Sequence, residues 1–329
     1  MKKIIGFDNE FYSLLNHLKN DNLCNSILLT GNKGIGKSYF LTNLIEEYIK
    51  IKIDNNQIKH HISLIYNNSH PNIRFIKKEI DEKTKKIKNF ITIDQVRKIN
   101  QFSLETSIIE NLPKLILIDS ADDLNLNASN ALLKILEEPK KNTYFFLISH
   151  EPSSLQLTIK SRCLKIKLSN HNFINFSNIL KSKDITLNDE TIKFLFDITN
   201  GSPGLSIEYN FEEILELFEK FICSLADSDP FSDLNNELID TLSNFENEKL
   251  KIYLSFIKFI LIILKKIKLG INIKDYYLSK NILKIENIAY KISTDNVLKK
   301  FEYLINNEND LFTFNLDKKI FILNFFAER

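Results

Sequence analysis

The string Gly31-Asn32-Lys33-Gly34-Ile35-Gly36-Lys37-Ser38 satisfies the spacing G-x-x-x-x-G-K-[ST] in full. It stands between an apolar run, Ser26-Ile27-Leu28-Leu29-Thr30, and a helical pattern over 39–49. This segment limits the possible folds more than any other, because strand, glycine loop and helix must follow one another for backbone N–H groups to converge on an anion at a helix N-terminus. Three of the seven glycines lie in this loop. Gly31, Gly34, Gly36 and Lys37 are the residues expected to hold phosphate, and the Ser38 hydroxyl is expected to ligate Mg2+. ATP or ADP is the ligand class this implies.

Further apolar runs predict strands at 62–66 (Ile-Ser-Leu-Ile-Tyr), 114–118 (Lys-Leu-Ile-Leu-Ile) and 143–148 (Thr-Tyr-Phe-Phe-Leu-Ile). Nearly continuous apolar strands separated by helical patterns indicate a parallel sheet covered on both faces. Over 127–138, Ala128, Ala131, Leu132, Ile135 and Leu136 recur at helical spacing and Pro139 ends the run. After a last strand at 164–168 the β signal disappears, which puts a boundary near 167. Gly201-Ser202-Pro203-Gly204 marks a tight break between helices, and a second boundary follows near 208. The remainder, with long apolar-periodic segments at 211–225 and 250–269, reads as a helical bundle. The expected parts are therefore 1–167, an α/β phosphate-loop domain; 168–208, a small helical domain; and 209–329, an all-α domain.

Composition removes several classes of function. At 329 residues, with 43% hydrophobic and 26% charged residues, the chain can bury more than one core. Lysine and arginine (44) nearly cancel aspartate and glutamate (42), so a surface basic all over for nucleic acid is excluded and any DNA contact must be local. Cys24, Cys163 and Cys223 form no C-x-x-C pair, which predicts no zinc module and suits a reducing cytoplasm. Cys163 reads as a small packed residue. The apolar stretch over 252–264 contains Lys258 and is too short to span a bilayer, while charge returns at Asp8 and Glu10 before a signal-peptide core can form. Neither a membrane segment nor an export signal is expected. His60, His61 and His70 lack metal-ligand spacing. Lys77, Lys78, Lys83, Lys85, Lys86 and Lys88 are diluted by Glu79, Asp81 and Glu82, and read as a solvated hairpin or loop.

The apolar run at 114–118 ends in Asp119, the usual way such a protein presents a carboxylate to Mg2+. Ser120 follows where a glutamate would orient water, so binding is expected to exceed hydrolysis.

Asp119-Ser120-Ala121-Asp122 and the string over 127–139, Asn-Ala-Ser-Asn-Ala-Leu-Leu-Lys-Ile-Leu-Glu-Glu-Pro, resemble the bacterial clamp-loader family of AAA+ proteins. Ser149-His150-Glu151-Pro152, Ser161-Arg162-Cys163 and Gly201-Ser202-Pro203-Gly204 match in the same order. The resemblance covers residues 1 to about 208. It implies a RecA-like phosphate-loop domain, a helical lid and a helical collar for oligomerisation. It adds Ser149 to the nucleotide-contacting residues and makes Arg162 a finger that reaches the ATP of a neighbouring subunit.

Three departures from the tau/gamma motor branch favour the delta-prime branch: Asp119-Ser120 in place of aspartate-glutamate, no zinc cysteines after the loop helix, and Pro203-Gly204 in place of a sensor arginine. The implied partners are tau/gamma and delta subunits, the sliding clamp and primed DNA, in the cytoplasm. On the residues alone two other readings stay open: a self-sufficient ATPase of the motor type, and a structural adaptor whose loop is unused.

Overall fold

The computed structural model describes residues 4–81, 85, 87–109, 111–183, 185, 187–208, 211–225, 227, 229, 232–271, 282–314 and 316–328. The chain divides into two compact units, Met1–Ile179 and Leu180–Arg329.

In the first unit, α1 (Asp8–Lys19) precedes β1 (Ser26–Thr30), α2 (Lys37–Lys52), α3 (Asn55–Tyr66) and β2 (Ile73–Ile76). Then come α4 (Ile93–Leu104), β3 (Lys114–Asp119), a single 3-10 turn at Ala121–Asp123, α5 (Leu126–Glu137), β4 (Thr143–Ser149), α6 (Leu157–Ser161), β5 (Leu164–Lys167) and the start of α7 (Phe173–Lys181). The five strands form one sheet in the order β2-β3-β4-β1-β5, and every pairing is parallel. Parallel strands need both faces covered, and the side chains alternate accordingly. Ile27, Leu29, Leu115, Leu117 and Phe146 pack with α1 and α2, while Leu28, Ile116, Ile118, Phe145 and Leu147 pack with α4, α5 and α6. Each such fully buried side chain stabilises the fold by about 1.5–3 kcal/mol relative to exposure.

The run at 62–66, expected as a strand, is the last part of α3. His61 and Ile65 are the residues this helix buries, four apart, while Ile62 and Leu64 are half-buried. The helical stripe wins over a short, largely apolar run. The strand in this region is instead β2, at Ile73–Ile76, which sits at the sheet edge and shows only one fully buried residue. Beyond it, Ile80 and Ile87 form an antiparallel bridge, Lys88 pairs with Glu79 at 2.9 Å and Lys78 with Asp123 at 3.0 Å. Lys83 and Lys86 lie outside the described residues.

Among its described residues the second unit has helices and no strand: the end of α7, then α8 (Asp189–Ile198), α9 (Pro203–Glu208), α10 (Phe211–Leu225), α11 (Asp233–Ser243), α12 (Asn247–Lys268), α13 (Ile282–Lys291), α14 (Thr294–Thr313) and α15 (Lys318–Ala327). Its core joins Phe194, Phe221, Phe256 and Phe325 to a long aliphatic row on α12. No helix among the described residues is long and apolar enough to cross a membrane.

Helix ends leave carbonyls without intrahelical partners. At the end of α15 a buried ammonium supplies the donors, because Lys300 Nζ donates to the carbonyls of Phe325 (2.8 Å) and Phe326 (3.1 Å). Lys300→Met keeps the stem and removes three donors. It should destabilise the protein by about 1–3 kcal/mol, the cost of leaving buried carbonyls unpaired. Urea unfolding with a midpoint equal to wild type would refute this.

Candidate functional site

The site begins with the loop between β1 and α2. Gly36 has φ +97° at the N-cap of α2, and a β-carbon at Gly31 would stand 2.4 Å from the Leu168 carbonyl oxygen, so both positions demand glycine. Lys37 opens the helix and is almost fully buried. Its Nζ donates to the carbonyls of Gly31 (2.6 Å) and Asn32 (2.7 Å). Burial lowers its pKa to about 8, and the carboxylates of Asp119 and Asp122 oppose that shift. Ser38, on the first turn of the helix, is exposed.

Strand register brings the remaining groups to the same edge. Thr30 pairs with Ser149, and Asp119 with Ile148, so β1, β3 and β4 end at one level. The connection from β1 leads to β2 on one side of the sheet and that from β4 to β5 on the other, the kind of switch point at which parallel sheets take up ligands.

Asp122, just past β3, organises this edge. One carboxylate oxygen accepts the Ser149 hydroxyl at 2.8 Å, and the other accepts the backbone N–H groups of His150 (2.5 Å) and Glu151 (3.5 Å). The His150 Nε2 lies 4.0 Å from Asp119 Oδ1. Burial keeps the His150 pKa below the usual histidine value, and the Lys37 charge acts in the same direction against Asp119 and Asp122.

Ser120 is buried and donates its hydroxyl to Asp123 at 2.8 Å; Asp123 in turn pairs with Lys78. The position beside Asp119 therefore carries a neutral group already engaged by a neighbour.

Gly31, Gly34, Gly36, Lys37, Ser38, Asp119 and Ser149 thus come from one loop, the first turn of its helix and two adjacent strand ends. Arg162 stands apart from them. It follows α6, where Nη1 donates to the Thr158 carbonyl at 3.0 Å and Nη2 to Glu137 Oε1, at the end of α5, at 2.5 Å. Burial pushes the Cys163 thiol up to about 12, which leaves it protonated at neutral pH. Pro203 opens α9 in the second unit. Asp122, His150 and Glu137 lie inside strings singled out in the sequence, yet their contacts could not be read there, since each partner is distant in the chain.

Sheet, loop and strand-end carboxylate define the class, a phosphate-loop α/β unit carried with an all-helical unit. The family described as DNA polymerase III, delta subunit, matches residues 8–172. The chain belongs to this family. It is 42% identical over 97 residues to the DNA polymerase III subunit delta' of Pseudomonas aeruginosa, a match covering 30% of this chain and 27% of that protein. It is 38% identical over 132 residues to the subunit delta' of Haemophilus influenzae, 40% of each chain. The chain thus spans well under half the length of these relatives. Among solved structures, a DNA polymerase III gamma subunit-related protein from Thermotoga maritima aligns with a TM-score of 0.41 at 16% identity, over 95% of this chain and 97% of that one.

Because Asp122 gathers three donors from the end of β4, Asp122→Ala should cost about 2–4 kcal/mol, whereas Ser149→Ala, which removes one donor and keeps the rest, should cost about 1 kcal/mol. Guanidinium unfolding of the two variants side by side checks the order, and equal losses would remove Asp122 from this role.

Proposed function

We propose that this chain is a clamp-loader subunit of the delta-prime type, a largely non-hydrolysing member of an ATP-driven complex that places the sliding clamp on primed DNA. In this reading 1–167 binds nucleotide, 168–208 is a lid, 209–329 is the collar that joins tau/gamma and delta subunits, and Arg162 is supplied in trans to a neighbour's ATP. The observation that carries the reading is Ser120. In a family of nucleotide-driven machines, the residue next to the strand-end aspartate offers no carboxylate to orient water, and its hydroxyl is donated to Asp123.

Nucleotide binding itself is supported by the complete loop. N–H groups at the start of α2 and the Lys37 ammonium suit phosphate oxygens. The Ser38 hydroxyl and Asp119 carboxylate are hard oxygen donors of the kind Mg2+ prefers. When bound, the ion neutralises charge on the terminal phosphates. Gly31, Gly34 and Gly36 let the backbone approach, and the Ser149 hydroxyl stands at the same sheet edge on Asp122. The intact loop also favours a second reading, a self-sufficient ATPase, which predicts rapid turnover by the isolated chain.

Arg162 has room to change partners at little cost. Its pair with Glu137 is partly exposed, at 33% and 48% side-chain accessibility, and such pairs contribute about 0–1 kcal/mol. A guanidinium also keeps further N–H donors for phosphate.

Two sets of outcomes follow. For the isolated chain, calorimetry with Mg·ADP should show binding that Lys37→Ala weakens by about tenfold or more, the equivalent of one charge-assisted hydrogen bond. Only protonated Lys37 attracts phosphate, so wild-type affinity should be flat below the Lys37 pKa of about 8 and fall as pH rises above it. The Lys37→Ala variant should lack that fall. ATP turnover by the isolated chain as fast as that of a tau/gamma subunit would establish the second reading instead.

For a loader reconstituted from the same host's subunits, Arg162→Ala should leave assembly intact and lower DNA-stimulated ATPase in part, since other subunits keep their own arginines. Arg162→Lys should substitute poorly, and Glu137→Gln should change the rate less than fivefold, within the small worth of an exposed pair. An unchanged rate with Arg162→Ala would remove the arginine from the mechanism.

A further inference from the structure

The phosphate loop is held from behind by a residue outside every motif in the sequence. His171, buried at 5% exposure just before α7, has its ring Nε2 at 2.9 Å from the carbonyl oxygen of Ile35, inside the loop. A carbonyl accepts and does not donate, so Nε2 carries the hydrogen. In the neutral ring Nδ1 is then bare, and among the described residues it is buried without a hydrogen-bond partner. Burial favours that neutral form by lowering the pKa, and the bond to Ile35 opposes the shift.

The ring has little freedom. Phe7 packs on it with centroids 4.6 Å apart, and a β-carbon at Gly6 would stand 2.8 Å from Nδ1. The backbone leading to it is fixed as well, because the Leu168 N–H donates to Thr30 at the end of β1 at 2.9 Å. The Leu168 carbonyl is the group that closes the space at Gly31. The stretch 168–171 therefore lies against the loop at both Gly31 and Ile35.

We infer that His171 is a positioning residue for the anion-binding loop, an inference that rests on the nucleotide-binding reading above. The reason is geometric. In a trans peptide the C=O and the following N–H point in opposite directions, so a bond that draws the Ile35 carbonyl toward His171 turns the Gly36 N–H away from it. Gly36 immediately precedes α2, where the loop's N–H groups must converge on phosphate. Lys37 does the complementary task on the other loop carbonyls, those of Gly31 and Asn32. Between them the two side chains engage three carbonyl oxygens that would otherwise be able to turn their lone pairs toward an anion. Without His171 the 35–36 peptide can rotate, and an ordered N–H donor becomes one that binding must order at an entropic cost.

The test uses the whole chain, with Mg·ADP as the probe. His171→Leu keeps apolar bulk and removes the donor, whereas His171→Gln places an amide N–H at similar reach. Calorimetry should show His171→Leu weakened about tenfold and His171→Gln within about threefold of wild type. A purely structural role would lower the melting temperature of both variants without separating their affinities. On unmodified protein, long-range 1H–15N correlation should show His171 protonated on Nε2 and bare on Nδ1, a readout that holds even where a variant fails to fold. Wild-type binding that persists unchanged in a folded His171→Leu protein, or the opposite tautomer in wild type, overturns the inference while leaving nucleotide binding intact. Absence of Mg·ADP binding by wild type overturns both.

Discussion

Parallel pairing of β4 between β3 and β1 fixes the height of every polar group at the sheet edge before any side-chain bond is counted. With Thr30 set against Ser149 and Asp119 against Ile148, the loop, the strand-end carboxylate and the serine leave the sheet together. A shift of one residue would turn each strand's side chains to the opposite face. Phe145 and Leu147 are buried on one face and Tyr144, Phe146 and Ile148 on the other, so slippage must break packing on both. The apolar interior thus holds the polar edge in place, at an energy far above that of the hydrogen bonds it aligns. Asp122 then joins β3's exit to β4's exit through three donors, a local bond made possible by a register set elsewhere.

How much of this was legible in the sequence depended on whether a signal was local. The phosphate loop was readable because its conformation is dictated by glycines within eight residues, and the helix at Leu126–Glu137 because its apolar stripe repeats and stops at Pro139. Four of the five strands were equally plain, three as continuous apolar runs and β5 as Leu164, Ile166 and Leu168 alternating with lysine. The edge strand β2 was not: its four residues carry Arg74 in their middle and only Ile73 is fully buried. The short apolar run at 62–66 misled because five residues are too few to separate period 2 from period 3.6, and the deciding contacts come from His61 and Ile65 on the buried stripe of α3. Contacts within the site were hidden for a different reason. Asp122 meets Ser149 across 27 positions, Arg162 meets Glu137 across 25 and His171 meets Ile35 across 136. No single-sequence pattern encodes such pairings, and a lone histidine before a helix carries no signal of its own.

The two aspartates near Lys37 illustrate how one edge separates structure from ligand chemistry. Both favour the protonated lysine, and burial outweighs them, leaving the ammonium with a pKa of about 8. They differ in what surrounds their oxygens. Asp122 accepts a hydroxyl and two backbone N–H groups, so its charge is solvated by fixed dipoles and its carboxylate is committed to the β4 end. Asp119 is half-buried, and its contact with His150 at 4.0 Å is longer than a hydrogen bond. A hard cation seeks oxygens whose charge is not already met by N–H donors, which favours Asp119 over Asp122 even though both lie near the loop lysine. The same reasoning bears on Ser120. A glutamate there would add a third carboxylate next to Asp119 and Asp123; the serine instead puts a neutral hydroxyl against Asp123. In the proposed reading, the edge keeps groups suited to phosphate and metal, while the position next to Asp119 carries no charge of the kind that would activate water.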